Sequence, residues 1–431
     1  MNYEYFIARK VATGQKKSFT RLIIRIAIIA ITLSMSVMIC SSALIAGFKQ
    51  EISEKIFGFW GHVHITGSSI YQTVVENDPI DKQQDFYPDL LQGEQITYLE
   101  RSEFLGREWI REEQTKGGVA HIQVFALRSG IIQANEEIEG IVLKGAGEDF
   151  NWTFMQDYLR EGELLSWQDS SISDGILISE QTADRLKLGV GDRLRVVFVE
   201  KEEPIQRRFV VKGIFKTGLE EYDSRFALVD IRKIQQLMGW SEDQIGGFEV
   251  FIDHIDDLDP IANHIYYNVL PEDLYAETIE EKFREIFQWL ALQDINEVVI
   301  MGLMIIVAII NMITALLILI LERTNMVGTL KALGSSNWGI RKIFLYYAAY
   351  IIALGIFWGN LIGLLLCFLQ DKFHFITLDE RNYYLEYAPV EVNFWTILLL
   401  NAGTLLVVLL FLIIPSYLVT RISPIRAIRF R

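Results

Sequence analysis

The sequence predicts an α+β membrane protein: four transmembrane helices, with a large mixed α/β domain inserted between the first and the second. Three observations carry that expectation. Mean hydropathy is +0.24 over 431 residues, high for a chain dissolved in water. The apolar residues gather in four uncharged stretches of 22 or more residues, Ile26–Gly47, Val298–Leu321, Ile343–Leu369 and Phe394–Leu418, and about 20 such residues are needed to cross a bilayer. Charge also alternates along the chain in step with those stretches.

The three segments 1–25, 322–342 and 419–431 are basic: Arg9, Lys10, Lys16, Lys17, Arg21 and Arg25 in the first, Arg323, Lys331, Arg341 and Lys342 in the second, and Arg421, Arg426, Arg429 and Arg431 in the third, with only Glu4 and Glu322 opposing. The segment 48–297 holds 48 acidic against 24 basic residues, and 370–393 holds five against two. Basic loops are retained in the cytoplasm. Both termini and 322–342 are therefore assigned inside, and 48–297 and 370–393 outside. The first span is longer than a signal-peptide core and follows 25 residues, so it reads as a retained helix. Pro415 near the end of the fourth span is tolerable where neighbours satisfy the carbonyl it frees. The two cysteines, Cys40 and Cys367, both lie in spans, which argues against a disulfide scaffold or a cysteine zinc site. A net charge of −15 lacks the basic footprint of a nucleic-acid binder.

Within 48–297, alternating or β-branched runs predict strands at His62–Thr66, Val119–Leu127, Ile138–Leu143, Gly175–Ile178, Arg193–Val199, Arg207–Phe215 and Gly247–Ile252. Ser179 and Asp230 are candidate N-caps of helices reaching Lys187 and Met238. The hairpin between the strands near 193 and 215 is expected to turn at a short acidic tip, Glu200–Ile205. Phe283, Ile286, Phe287 and Leu290 recur at helical spacing before the second span, opposite Glu281, Lys282, Arg284 and Glu285. Phe48, Ile52 and Ile56 do the same after the first. Both spans are expected to continue as stalk helices into the outer domain.

Catalytic chemistry finds no support in the residues. There is no GxxxxGK[ST] phosphate loop and no HExxH. His62 and His64 flank Val63 on one strand face, but no third ligand is near, so they read as satisfied histidines and no metal site is assigned. The spans contain no ionisable residue, which argues against an ion-coupled carrier. Their polar residues include Thr32, Ser34, Ser36, Ser41, Ser42, Asn311, Thr314, Asn360, Asn401 and Thr404, and Asn311 is expected to bond a neighbouring helix. Gly355, Gly359 and Gly363, four apart on the third span, mark a packing face. In the segment 322–336, Met326, Leu330 and Leu333 form one apolar stripe that Gly334 would end. Such a short amphipathic helix suits a membrane surface or a groove in a partner.

At this segment a resemblance enters. Glu322-Arg323, Val327-Gly328 and Leu330-Lys331-Ala332-Leu333-Gly334-Ser335 resemble the coupling helix of FtsX/MacB-type ABC transporter permeases, and Ser423-Pro424-Ile425-Arg426-Ala427-Ile428-Arg429 resembles their tail. Phe6-Ile7-Ala8-Arg9-Lys10, Gly47-Phe48-Lys49, Gly61-His62-Val63-His64-Ile65, Gly213-Ile214-Phe215, Thr217-Gly218 and Glu221-Tyr222-Asp223-Ser224 are similar, in order, to stretches of the lipoprotein-releasing LolC/LolE group.

The resemblance implies a non-catalytic subunit of a bacterial inner-membrane transporter, with the outer domain periplasmic. This chain would bind no cofactor; ATP and Mg would sit on a separate homodimeric ABC ATPase. That ATPase would be met by Glu322, Arg323, Met326, Val327, Gly328, Leu330, Lys331, Ala332, Leu333 and Gly334. A second permease, identical or homologous, would complete a cavity open to the outer leaflet, lined by Met38, Leu44, Phe48, Met304 and Ala308. The cargo would be a lipoprotein, handed to a periplasmic carrier chaperone in LolC-type systems by a long hairpin loop. The short loop 200–205 puts that docking in doubt. Two other outcomes stay open: a MacB-like exporter of peptides or amphiphiles, and an FtsX-like transmitter to a cell-wall hydrolase.

Overall fold

The computed structural model describes residues 4, 6–7, 18–68, 78–104, 107–135, 137–167, 172–198, 204–379 and 383–422. They form two compact units. One gathers Met1–Glu51, Trp289–Thr377 and Tyr387–Arg431, and the other Ile52–Gln288 and Leu378–Glu386. Helix α1, Ser18–Trp60, has 43 residues and contributes to both. The tail motif 423–429, residues 8–10 of the N-terminal motif and residues 200–203 of the acidic tip lie outside the described residues.

The second unit has one large sheet and two separate two-stranded ones. Its strands are β1 (Val63–Gly67), β2 (Ile80–Asp81), β3 (Thr97–Phe104), β4 (Arg107–Gln114), β5 (Val119–Ala134), β6 (Glu137–Ala146), β7 (Leu159–Gly162), β8 (Gly175–Ser179), β9 (Arg193–Phe198), β10 (Ile205–Phe215), β11 (Phe226–Asp230), β12 (Gln244–Ile245), β13 (Gly247–Ile252) and β14 (Leu274–Thr278). Between them lie α2 (Thr153–Tyr158), α3 (Glu180–Leu186), α4 (Glu220–Asp223), α5 (Ile231–Met238), α6 (Leu258–His264) and, after β14, α7 (Ile279–Lys282).

The sheet runs β14-β1-β13-β5-β6-β11-β8-β10-β7, and β9 pairs with both β10 and β5. Strands β5, β6, β11, β8, β10 and β9 therefore close into a ring of six, which removes their free edges. Ile132, Leu143, Ile176, Val196, Phe198, Phe209 and Val211 belong to the buried core of this unit. The seven expected strands are present; β5 is longer than expected, and β2, β3, β4, β7, β11, β12 and β14 are additional. Strand β11 was missed because Phe226–Asp230 is a continuous buried run with no alternation. The two expected caps hold: Ser179 accepts from Thr182 N, and Asp230 from Arg232 N.

The chain enters and leaves this unit through neighbouring strands. After α1, β1 pairs antiparallel with β14, Val63 opposite Thr278, and β14 leads into α7. Thr278 caps α7 in a full capping box with Glu281. The expected continuous stalk is interrupted at Phe283, whose φ −110° and ψ 42° are not helical, and resumes as α8. Ile52 and Ile56, at the end of α1, are fully buried as their spacing implied.

The first unit contains α8 (Arg284–Glu322), α9 (Thr324–Ala332), α10 (Asn337–Phe373), α11 (Phe394–Ser416) and α12 (Leu418–Arg421), besides most of α1. Four helices among the described residues are long and apolar enough to cross a membrane. A ladder joins α1 to α10. Thr32 Oγ1 donates to Gly355 O at 3.2 Å, Ser36 Oγ to Gly359 O at 3.0 Å, and Cys40 Sγ to Gly363 O at 3.7 Å. A Cβ on Gly355 would lie 2.6 Å from Ile31 Cβ, and one on Gly359 2.5 Å from Met35 Cβ. The glycines bring the backbones together, and the hydroxyls then reach carbonyls across the interface.

Asn360 and Asn401 join α10 to α11 by reciprocal amide bonds of 2.6 and 3.0 Å. Asn311, expected to bond another helix, instead donates to Val307 O in its own helix at 2.9 Å. Near Pro415, Arg341 Nη2 and Ser416 Oγ both donate to Ile413 O, while Tyr417 N turns to Ile414 O. Gln370 fixes the loop after α10 by bonding Ile376 and Ala388. Gly47 lies against the backbone of 389–391, where a Cβ would meet Pro389 C at 2.8 Å.

Candidate functional site

The segment 322–334 forms α9, a helix of nine residues. It ends as Gly334 predicted. Gly334 takes φ +88°, its N–H donates to Lys331 O, and Ser335 N–H donates to Leu330 O. These two bonds make a Schellman end, and the positive φ is why glycine stands there.

The structure divides the expected apolar stripe in two. Val327 and Gly328 are buried, and Met326 and Leu330 pack partly against the helix core. Leu333 stands 78% exposed, and Trp338 at the start of α10 is 50% exposed. Asn325, Thr329 and Ala332 complete the open face. Lys331 is turned inward. Its ammonium donates to Thr420 O at 3.1 Å and Ile422 O at 2.9 Å, so it caps the end of α12. Burial lowers its pKa. The exposed face of this helix is therefore Asn325, Thr329, Ala332 and Leu333 rather than the whole motif. Glu322 and Arg323 lie half-buried at its entry.

The five residues assigned to a cavity separate. Met38 and Ala308 are wholly buried among helix side chains, and Met304 packs partly against the cluster that holds Met38. Leu44 is half-buried, and Phe48 meets Trp289 edge-on at 5.4 Å. Met38 and Ala308 thus face packed neighbours, while Leu44 and Phe48 are half-buried. Gly355, Gly359 and Gly363 all face α1, as described above.

A second constellation lies where α1 ends, and the sequence reading did not find it. Lys144 on β6 and Glu249 on β13 are fully buried, with Nζ and Oε1 2.7 Å apart. Gln123 Nε2 donates to Glu249 Oε2 at 2.7 Å. Lys144 also donates to Phe59 O, and its ammonium sits over the rings of Phe59 and Trp60 at 4.6 and 4.7 Å. His64 Nε2 lies 2.8 Å from Trp60 O, and Lys282 Nζ lies 2.9 Å from His64 Nδ1. An ammonium only donates, so Nδ1 is the acceptor and the proton sits on Nε2, donating to Trp60 O. Desolvation, then Lys282 and Lys144, hold the His64 pKa well below its usual value. Burial alone takes His62 down to about 4. Burial pushes the Lys144 ammonium down and the Glu249 carboxyl up, and their mutual contact opposes both.

Two signals for this cluster were present in the sequence. Lys144 interrupts the apolar run Ile141-Val142-Leu143, and Glu249 sits between Phe248 and Val250. His62 and His64 are both engaged: His62 Nδ1 accepts from Ile252 N at 3.3 Å and stacks on Phe57. No metal-binding group of three or more His, Cys, Asp or Glu occurs among the described residues.

A mixed α/β domain closed on a ring of strands, together with four helices among the described residues long and apolar enough to cross a membrane, defines a class of multi-pass membrane protein. Residues 26–265 match the MacB-like periplasmic core domain, more than half of the chain, and 298–424 match the FtsX-like permease C-terminal domain. The chain belongs to the FtsX/MacB-type ABC transporter permeases. It is similar along its length to "Lipoprotein-releasing system transmembrane protein LolC" of Xylella fastidiosa, 20% identical over 98% of this chain and 97% of that one. It is also similar to "Lipoprotein-releasing system transmembrane protein LolE" of Haemophilus influenzae, 22% identical over 98% of each. The extracellular domain of the ABC-type transporter YknZ superposes on 37% of this chain and 81% of its own at 16% identity, with a TM-score of 0.28, too distant to bear on the fold.

Proposed function

We propose that this chain is the permease subunit of an ABC transporter that extracts lipoproteins from the outer leaflet of the bacterial inner membrane. A separate ATPase homodimer supplies the work, and a second permease, identical or homologous, completes the complex. The observation that carries the reading is end-to-end similarity to both LolC and LolE, over 98% of the chain in each case.

The helices supply what such a machine needs. At 1.5 Å per residue α1 is about 65 Å long and α8 about 58 Å, against roughly 30 Å for the hydrocarbon core. Their excess length serves as stalks, with termini inside and 48–297 in the periplasm. The ATPase engages the open face of α9 around Leu333. Leu44 and Phe48 are the strongest candidates for contact with an acyl chain. Depletion of the protein followed by separation of inner and outer membranes tests the reading. Lipoproteins accumulating in the inner membrane support it, and unchanged sorting sinks it. The match of 26–265 to the MacB-like core favours one other reading, export of a peptide or amphiphile. Normal sorting with raised sensitivity to such compounds selects that one.

A further inference from the structure

The buried charge cluster at the end of α1 is costly, and the packing does not call for it. Taking a lysine and a glutamate out of water costs several kcal/mol per ion, and replacing such a pair with apolar side chains of similar volume is often neutral or stabilising. Stability therefore does not account for charges at Lys144 and Glu249, both wholly buried. What charges add is direction.

The direction is specific. Helix α1 ends at Trp60, so the carbonyls of its last turn lack intrahelical partners and carry the negative end of the helix dipole. Phe59 O accepts from Lys144 and Trp60 O from His64. Their owners are not local. His64, Glu249 and Gln123 stand directly opposite one another on β1, β13 and β5, forming one polar row across three paired strands. Lys144 on β6 stands opposite Leu127 rather than Gln123 and joins the row through its ion pair with Glu249. Lys282, the last residue of α7, closes it from the other side through His64. A slip of α1 against the sheet would break several bonds in a site without solvent to replace them, so the joint is stiff rather than graded.

We infer that Lys144 is a positioning residue that locks the last turn of α1 to strands β6 and β13, so that movement of the helix is delivered to the sheet instead of being lost at a soft joint. The inference rests on the transmission reading above and names the point where transmission enters the outer domain. Aromatic packing by Phe59, Trp60, Tyr222, Phe226 and Phe283 would seat the helix end without Lys144. The ammonium fixes its register.

The test uses the assembled complex of permeases and ATPase in lipid nanodiscs. Hydrogen–deuterium exchange is followed over Val119–Ala134 and Glu137–Ala146, with and without a non-hydrolysable ATP analogue. Wild type is expected to show a nucleotide-dependent change there. The paired variant Lys144→Met with Glu249→Leu is expected to fold and to hydrolyse ATP as wild type does but to lose that change. Lys144→Arg, which keeps a cation against Phe59 O, is expected to retain it. Should the paired variant fail to accumulate, Glu249→Gln, which keeps shape and hydrogen bonding, is expected to show a reduced change. An undiminished change in the charge-altering variants overturns the joint while leaving the transmission reading intact. No change in wild type overturns both.

Discussion

Asn360 on the third long helix and Asn401 on the fourth hold each other by both halves of their amides, at 2.6 and 3.0 Å, and each also donates to a carbonyl one turn back in its own helix. Neither residue has a charged neighbour in its stretch of helix, and the pair ties the middle of α10 to α11 as Arg341 ties its start through Ser416 Oγ and Ile413 O. Replacing one asparagine by leucine leaves the other amide half-satisfied in an apolar setting. Replacing both removes the need. Interhelical polar contacts in membranes are worth roughly 0.6 to 2 kcal/mol. Asn360→Leu and Asn401→Leu are each expected to destabilise by about that amount, and the double variant by less than their sum. A double-mutant cycle on unfolding in detergent measures this; strict additivity would deny the coupling.

The glycine ladder gives a sharper expectation. A methyl at Gly359 would meet Met35 Cβ at 2.5 Å and Thr32 O at 3.1 Å, both on α1. Gly359→Ala should therefore push α10 from α1 and weaken Ser36 Oγ–Gly359 O, costing about 1 to 3 kcal/mol. Gly403→Ala is the control, because nothing lies within 4 Å of the added carbon. Alanine is the better helix former, so Gly403→Ala should melt no lower than wild type; melting of the two purified variants separates them, and an undiminished stability in Gly359→Ala would deny the contact.

Much of the helical half was legible because membrane spans announce themselves by length, and caps such as Ser179, Asp230 and Gly334 by residue type. Partner choice was not legible. Asn311, Asn360 and Asn401 look alike in sequence, and only the rotation of each helix decides that two meet and one turns back on its own backbone. The stripe at 326–333 divides for a similar reason. Periodicity gives a face, but not which part of it the chain itself covers, and Met326 and Leu330 are taken up internally while Leu333 is left. The cluster around Lys144 was readable only as two charges out of pattern. Its meaning depends on residues 64, 123, 144, 249 and 282 being brought together by strand order.

The histidines at the end of α1 set a pH dependence. His62 falls to about 4 in the folded protein and His64 lies well below its usual value, both by desolvation first. The unfolded chain, with histidine near 6.5, therefore binds more protons than the folded one between the folded values and about 6.5, and stability rises with pH across that window. Their contribution is complete above about pH 6.5 and is lost as pH falls towards 4. For His62 alone it amounts to roughly 3 kcal/mol. The sheet domain is expected to melt earlier at pH 5 than at pH 7.5, and His62→Gln to flatten that dependence. A profile unchanged in that variant would refute the assignment to His62.

The proposed contact with an ATPase can be tested without disturbing the permease, because the structure separates the two apolar residues that the sequence placed together. Leu330 packs against the helix core, so Leu330→Asp would bury a charge and destabilise the chain, and loss of ATPase binding would then say little. Leu333 is 78% exposed and bonds its backbone into the end of α9 without calling on its side chain. Leu333→Asp should leave the melting temperature of the permease unchanged, since surface substitutions usually shift stability by no more than about 0.5 kcal/mol. In a partner groove the same aspartate would be desolvated without a counter-charge, at a cost of several kcal/mol, enough to lower occupancy by two or more orders of magnitude. Co-purification of the ATPase with wild type but not with Leu333→Asp, at equal thermal stability, is the expected result. Recovery of the ATPase with both in the same ratio would move the contact away from α9.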